Sequence, residues 1–217
     1  MPQSKVKTVF LCSSCGDQFA KWNGQCPSCD EWGTLSEYKV NTKSRSKSNG
    51  QTKSPSNLVD ILKDGVVKSQ KTGIREVDRV LGGGVLPGSM ILLGGSPGIG
   101  KSTLALQIIP GLKYSVLYVS AEESEEQLAL RAKRLNISTK KIKLSTENNI
   151  EVIVDQLTLT NPKLLIIDSI QNIYSDNVDS VAGSPSQIRE CGQQLLAIAK
   201  QNKVSVIVIG HVTKEGI

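Results

Sequence analysis

Aromatic side chains are scarce, with two Phe, two Trp and four Tyr among 217 residues. Any large core must therefore be aliphatic. Long apolar runs are also missing. Runs such as Leu164 to Ile167 and Val206 to Ile209 fall far below the roughly 18 residues that a transmembrane helix needs. The opening Met1-Pro2-Gln3-Ser4-Lys5 has no secretory h-region. These absences exclude an integral membrane protein and lead us to expect a cytoplasmic one. Apolar residues still make up 38% and charged residues 21%, which is globular rather than disordered composition. The length fits one full domain plus an appendage.

Acidic residues are unevenly short. Residues 1 to 57 hold eight Lys/Arg against four acids and so carry +4 of the +6 net charge. A basic arm on a balanced body is compatible with nucleic-acid contact, and equally with solubility alone. Lys39 to Asn57 contains five Lys/Arg, five Ser and no acid, the composition of a solvated, self-repelling linker. It can serve as a tether that meets phosphates or simply as a flexible joint.

Four of the five cysteines lie within 18 residues, as Cys12-x2-Cys15 and Cys26-x2-Cys29. In a reducing cytosol such paired knuckles point to tetrahedral zinc, with disulfide or redox pairs as the alternative. Gly16, Gly24 and Pro27 suit tight turns beside the thiols. The segment is too short for a hydrophobic core, so metal binding would supply most of its folding free energy. Four thiolates close the coordination sphere, which makes the ion structural rather than catalytic. Cys191 stands alone and reads as a packing residue.

From Leu58 onward strands and helices alternate, the pattern of an α/β domain with a mainly parallel sheet. Strands are expected at 89–94, 115–120, 163–168 and 204–210, and helices at 102–109, 123–136, 150–159 and 186–202. The run Gly95-Ser96-Pro97-Gly98-Ile99-Gly100-Lys101-Ser102 matches G-x4-G-K-[ST] between a strand and a helix. Its glycines let backbone N–H groups surround a phosphate at the helix start. Lys101 would add a charge on the β/γ oxygens and Ser102 would ligate Mg²⁺, with Thr103 near the α-phosphate. Asp168, which ends the apolar strand Leu164 to Ile167, is the candidate acid on the magnesium side, with a helix N-cap as its plain alternative. Glu122 is the choice for orienting the attacking water. Glu123 reads as a first-turn helix acid, although the two could exchange roles.

The segment from Thr72 through Gly82-Gly83-Gly84 to Ser89, running into the P-loop, resembles the ATPase core of the RecA superfamily. Together with the four-cysteine amino terminus it is similar to bacterial DNA repair ATPases of that superfamily, across essentially the whole chain. The resemblance implies an α/β, RecA-like P-loop core with a mainly parallel sheet behind a small zinc ribbon. The division would be 1–38 zinc ribbon, 39–57 basic linker and 58–217 ATPase core, incomplete at its carboxyl end. Implied cofactors are ATP, Mg²⁺ and Zn²⁺. Implied partners are single-stranded and branched DNA and the RecA recombinase, within a homo-hexamer of the full-length protein. The implied activity is DNA-stimulated ATP hydrolysis that drives branch migration and extends strand exchange in repair.

The resemblance also places His211, the one histidine, as a polar sensor of the γ-phosphate, where its plain alternative is a surface or capping residue. The loop from Ser175 to Pro185 occupies the place of a DNA-contacting loop, yet it carries Asp176 and Asp179 and no Lys or Arg, a poor surface for phosphates. Relatives of this kind continue well past position 217, so either a fragment or a truncated chain is expected; a truncated one should bind nucleotide with slow or absent DNA-stimulated hydrolysis. Two other readings stay open. One is an ATP-switched scaffold like the circadian-clock ATPases, which lack the ribbon. The other is a zinc module on an inert core.

Overall fold

The computed structural model describes residues 6–41, 55, 57–63, 67–137 and 140–211. Most of the basic linker expected at 39–57, and the residues after His211, lie outside the described residues. The chain divides into two compact units, Met1–Val67 with Ser184–Ser186, and Lys68–Gly183 with Gln187–Ile217.

In the first unit β1 (Val6–Cys12) pairs antiparallel with both β2 (Gln18–Phe19) and β3 (Leu35–Asn41). Phe10 faces Phe19, and Cys12 faces Leu35. Among the described residues its buried apolar cluster is Cys12, Cys26 and Leu35, flanked by Phe10, Cys15, Phe19 and Cys29. That is far too little apolar area to offset the chain entropy of ordering some thirty residues. A short helix, α1 (Leu58–Lys63), follows.

The second unit is a five-stranded, wholly parallel sheet with helices against it. Its strands are β4 (Met90–Gly95), β5 (Val116–Ser120), β6 (Ile142–Ser145), β7 (Leu164–Asp168) and β8 (Ser205–His211), in the order β4-β8-β7-β5-β6. The helices are α2 (Arg75–Val80), α3 (Lys101–Gln107), α4 (Glu125–Arg134), α5 (Ile150–Thr160) and α6 (Pro185–Asn202). Every residue of β5 and β7 is buried, because a parallel strand covered on both faces needs apolar side chains at successive positions. Alternate residues serve opposite faces. Leu117, Val119, Leu165 and Ile167 meet Ile153 of α5 and Leu195 of α6. Tyr118, Ile166 and Ile207 meet Leu106 of α3 and Leu128 of α4. Cys191 is buried in the first of these clusters, a packing residue, and burial pushes its thiol up to about 12. Among the described residues no helix is long and apolar enough to cross a membrane.

The structure moves several boundaries. The helix expected from Glu123 begins at Glu125, because Ser124 takes the N-cap and forms a capping box with Gln127. Glu123 therefore lies outside the helix and is not a first-turn acid. The helix expected over 102–109 gives way after Gln107 to a 3-10 turn at Ile109–Gly111, which accommodates Pro110. Two elements carry no clear sequence signal: β6, whose Ile142-Lys143-Leu144-Ser145 is short and half polar, and α2, which buries no residue.

Ahead of β4, Gln70 and Val85 form a two-residue bridge. Gly84 sits beside it at φ +133°, where an added Cβ would lie 2.2 Å from the Gln70 carbonyl oxygen. Both the left-handed backbone and the close approach demand glycine. Gly84→Ala should destabilise this unit by about 2–3 kcal/mol. The check is a lower urea midpoint at unchanged slope.

Candidate functional site

Parallel register assembles one site at the carboxyl ends of four strands. Gly95, the last residue of β4, pairs with His211 of β8, while Asp168 of β7 pairs with Ile209 on one side and Ser120 of β5 on the other. The ligand crevice of an open α/β sheet forms at this end. The P-loop leaves β4 here, and Gly100, at φ 103°, turns the chain into α3 so that Lys101, Ser102 and Thr103 open the helix.

Lys101 is 6% exposed, a deep position for an ammonium group. Its three N–H bonds are all committed, to the carbonyls of Gly95 (2.7 Å) and Ser96 (2.9 Å) and to His211 Nδ1 (3.1 Å). An ammonium can only donate, so Nδ1 accepts and the imidazole proton sits on Nε2. That nitrogen lies 2.9 Å from Glu122 Oε1, which also accepts from Ser169 Oγ at 2.5 Å. Lys101, His211, Glu122 and Ser169, drawn from four segments, form one hydrogen-bonded chain. Burial works against the Glu122 carboxylate, but the Ser169 and His211 bonds outweigh it and hold its pKa below the ordinary value. Gln171 Nε2 donates to the His211 carbonyl at 3.0 Å.

Asp168 is 4% exposed, and its two oxygens are unlike. Oδ2 accepts from the Tyr118 hydroxyl at 2.7 Å, whereas Oδ1 is buried without a partner. An orphaned carboxylate oxygen in this position suits a hard divalent cation or its waters. Asp168 caps no helix: the following 3-10 turn starts from Ser169, without a side-chain cap. Burial, and then the Asp168 charge, push the Tyr118 phenol far above its usual pKa, so it remains a donor. Glu123 turns away from this chain to Arg131. Sequence reasoning missed Tyr118, Ser169 and Gln171, because nothing in the local pattern marks them apart from ordinary strand and turn residues.

The loop expected to face DNA is tied down from beneath. Glu151 accepts from Ser175 Oγ (2.5 Å), Asn177 Nδ2 (2.9 Å) and Gln194 Nε2 (3.1 Å). The buried Gln187 amide donates to the carbonyls of Val178 (2.8 Å) and Ser180 (3.0 Å). Asp176 accepts from Asn149 at 2.9 Å. These loop groups are thus held by Asn149, Glu151, Gln187 and Gln194, which lie outside the loop.

In the first unit the sulfurs of Cys12, Cys15, Cys26 and Cys29 all lie within 4.8 Å of one another. Cys12 and Cys29 are 3.7 Å apart and Cys15 and Cys26 are 3.6 Å apart. Zn–S bonds of about 2.3 Å in a tetrahedron require S···S edges of roughly 3.8 Å, so the donor set fits zinc. None of the five cysteines is in a disulfide. Burial opposes ionisation of Cys12, yet the Thr34 hydroxyl and the Cys15 and Ser14 amides overcome it and hold the thiol at about 6. Burial pushes the Cys15 thiol the other way, up to about 12, and because only thiolates ligate zinc a bound ion must displace the remaining protons. A Cβ at Gly24 would make only ordinary contacts with the indoles of Trp22 and Trp32, at 3.5–3.8 Å, so space does not demand glycine there.

The AAA domain family model matches residues 53–216. The chain belongs to that family. A second model, the rubredoxin metal binding domain, matches residues 10–37 and takes in all four clustered cysteines. Over its whole length the chain is 45% identical to the DNA repair protein RadA of Listeria monocytogenes, covering 48% of that relative. Over 98% of the chain it is 41% identical to RadA of Bacillus subtilis and 42% identical to RadA of Pseudomonas aeruginosa, again covering 48% of each. The chain thus spans about half the length of the curated relatives it matches. A solved KaiC-like protein from Pyrococcus horikoshii is similar at 26% identity with a TM-score of 0.56, covering 68% of this chain and 72% of that one. The fold is a RecA-like P-loop core with a parallel sheet, together with a four-cysteine zinc ribbon.

Proposed function

We propose that the chain is the ribbon-bearing, nucleotide-binding part of a cytoplasmic, DNA-dependent ATPase that acts in DNA repair and recombination. Residues 1–38 form its zinc ribbon, 39–57 a basic tether and 58–217 the ATPase core. The observation that carries the reading is the buried Lys101, linked through His211 to Glu122 beside the orphaned Oδ1 of Asp168.

In this reading Gly95, Ser96, Pro97, Gly98, Ile99 and Gly100 wrap the phosphates with main-chain groups. ATP binding draws Lys101 off the Gly95 and Ser96 carbonyls onto the β/γ oxygens. Ser102 and Asp168 hold Mg²⁺, which when bound neutralises phosphate charge. Thr103 lies by the α-phosphate. Glu122 orients the attacking water and accepts its proton, and Ser169 and His211 hold that carboxylate in place and ionised. His211, released from Lys101 as the lysine moves, senses the γ-phosphate and relays it through β8. The excess of Lys and Arg before residue 58 supplies phosphate contacts to DNA. The similarity to RadA proteins extends the proposal to branched recombination intermediates, to work beside the RecA recombinase and to a hexamer of the full-length protein.

A KaiC-like structural neighbour favours one competing reading, an ATP-driven switch without DNA. Titrating single-stranded DNA against salt, with and without a non-hydrolysable ATP analogue, separates the two. The motor reading expects nucleotide-dependent affinity with a steep salt slope. Lys101→Ala should abolish the nucleotide effect and leave the salt slope intact. Nucleotide-independent DNA affinity would refute the proposal.

A further inference from the structure

Among the described residues Tyr118 heads the largest fully buried side chains, and it carries a hydroxyl into that burial. Its position follows from the strand repeat. In β5, Tyr118 and Ser120 share a sheet face, and register sets Tyr118 opposite Ile166 and Ser120 opposite Asp168. Tyr118 thus sits one repeat, about 6.6 Å along the strand, below the level of Asp168. A phenol spans that interval where a shorter donor would not, and its hydroxyl reaches Oδ2 at 2.7 Å.

The ring is clamped among Leu106 of α3, Leu128 of α4 and Ile166, so the donor cannot swing aside. Its hydroxyl occupies one carboxylate oxygen and leaves the other, buried and unbonded, as the single free acceptor. This face of the sheet also carries α3, the helix opened by Lys101 and Ser102.

We propose that Tyr118 is a positioning residue for the divalent-cation site: by holding Oδ2 it fixes the plane of the Asp168 carboxylate and commits Oδ1 to the ion. The inference rests on the nucleotide reading above. Tyr118 touches neither nucleotide nor ion and acts only through Asp168. Removing an outer hydrogen bond of this type commonly costs a tenfold or greater loss of metal affinity, because the ligand then samples orientations that do not bind.

The test uses the full chain, a fluorescent ADP derivative and MgCl₂. Nucleotide affinity is measured in EDTA and across a magnesium titration, for the wild type, Tyr118→Phe, Asp168→Asn and the double variant. Phenylalanine keeps the ring and removes one oxygen, and a melting curve confirms that it folds. Tyr118→Phe should raise the magnesium midpoint about tenfold while leaving affinity in EDTA unchanged. In the Asp168→Asn background the same change should have no further effect.

A parallel fall in both the EDTA and the magnesium arms would mark Tyr118 as a packing residue and overturn the inference. So would an unmoved magnesium midpoint, or a further loss in the Asn background. A wild-type chain that binds no ADP at all would instead sink the nucleotide reading itself.

Discussion

Glu122→Gln should bind ATP as tightly as the parent chain and hydrolyse it about 10²–10⁴ times more slowly, the usual contribution of a positioned acid–base group. The amide keeps the size of the side chain and can still accept from Ser169, so the site stays assembled. What it loses is the capacity to take a proton. Single-turnover hydrolysis of pre-bound ATP reads the chemical step alone, whatever the rate of product release. A variant that turns over at the parental rate would remove Glu122 from the chemistry. Glu123 could not easily take its place, since it is engaged with Arg131.

The depressed pKa of Glu122 fixes the sign of the pH response. Its value in the folded chain lies below that in the unfolded chain. The stability it contributes is therefore present above the ordinary glutamate pKa of about 4.3 and is lost as the pH falls through the depressed value. Burial pushes the other way, and the bonds from Ser169 and His211 decide the outcome. Ser169→Ala, which removes one of them, should move the acid limb of single-turnover hydrolysis upward.

Stripping the metal from the ribbon should unfold it outright. Structural zinc supplies about 10–16 kcal/mol in comparable small domains, and the three buried apolar residues described in the ribbon cannot replace that. Amides of β1 and β3 should lose their protection from hydrogen exchange on chelation, whereas those of β5, β7 and β8 should keep theirs. Among the described residues the two apolar clusters of the ATPase unit draw on none before Ile74. Trp22 and Trp32 are the only tryptophans in the chain, so their emission follows the ribbon alone and gives an independent readout. Persistent protection of β1 in metal-free protein would contradict the assignment.

Both centres of chemistry announce themselves in the sequence for one reason: each is local. Cys12, Cys15, Cys26 and Cys29 are held together by two tight turns, and Gly95 to Ser102 by a single one, so spacing encodes their geometry. The core strands β5, β7 and β8 are legible because a doubly covered parallel strand must be apolar throughout. Burial leaves no such trace on α2 or β6, and the start of α4 falls two residues later than expected because Ser124 takes the N-cap.

Asp168 and Glu122 could be chosen as acids at strand ends, but not what each would touch. Lys101 and His211 lie 110 positions apart, and Tyr118 and Asp168 lie 50 apart. Only the register of neighbouring parallel strands makes them adjacent, and that register comes from packing both faces of the whole sheet. A linear pattern can specify a turn; it cannot specify which distant strand will lie alongside, and here that choice assigns a proton donor to every acid of the site but leaves one oxygen of Asp168 free.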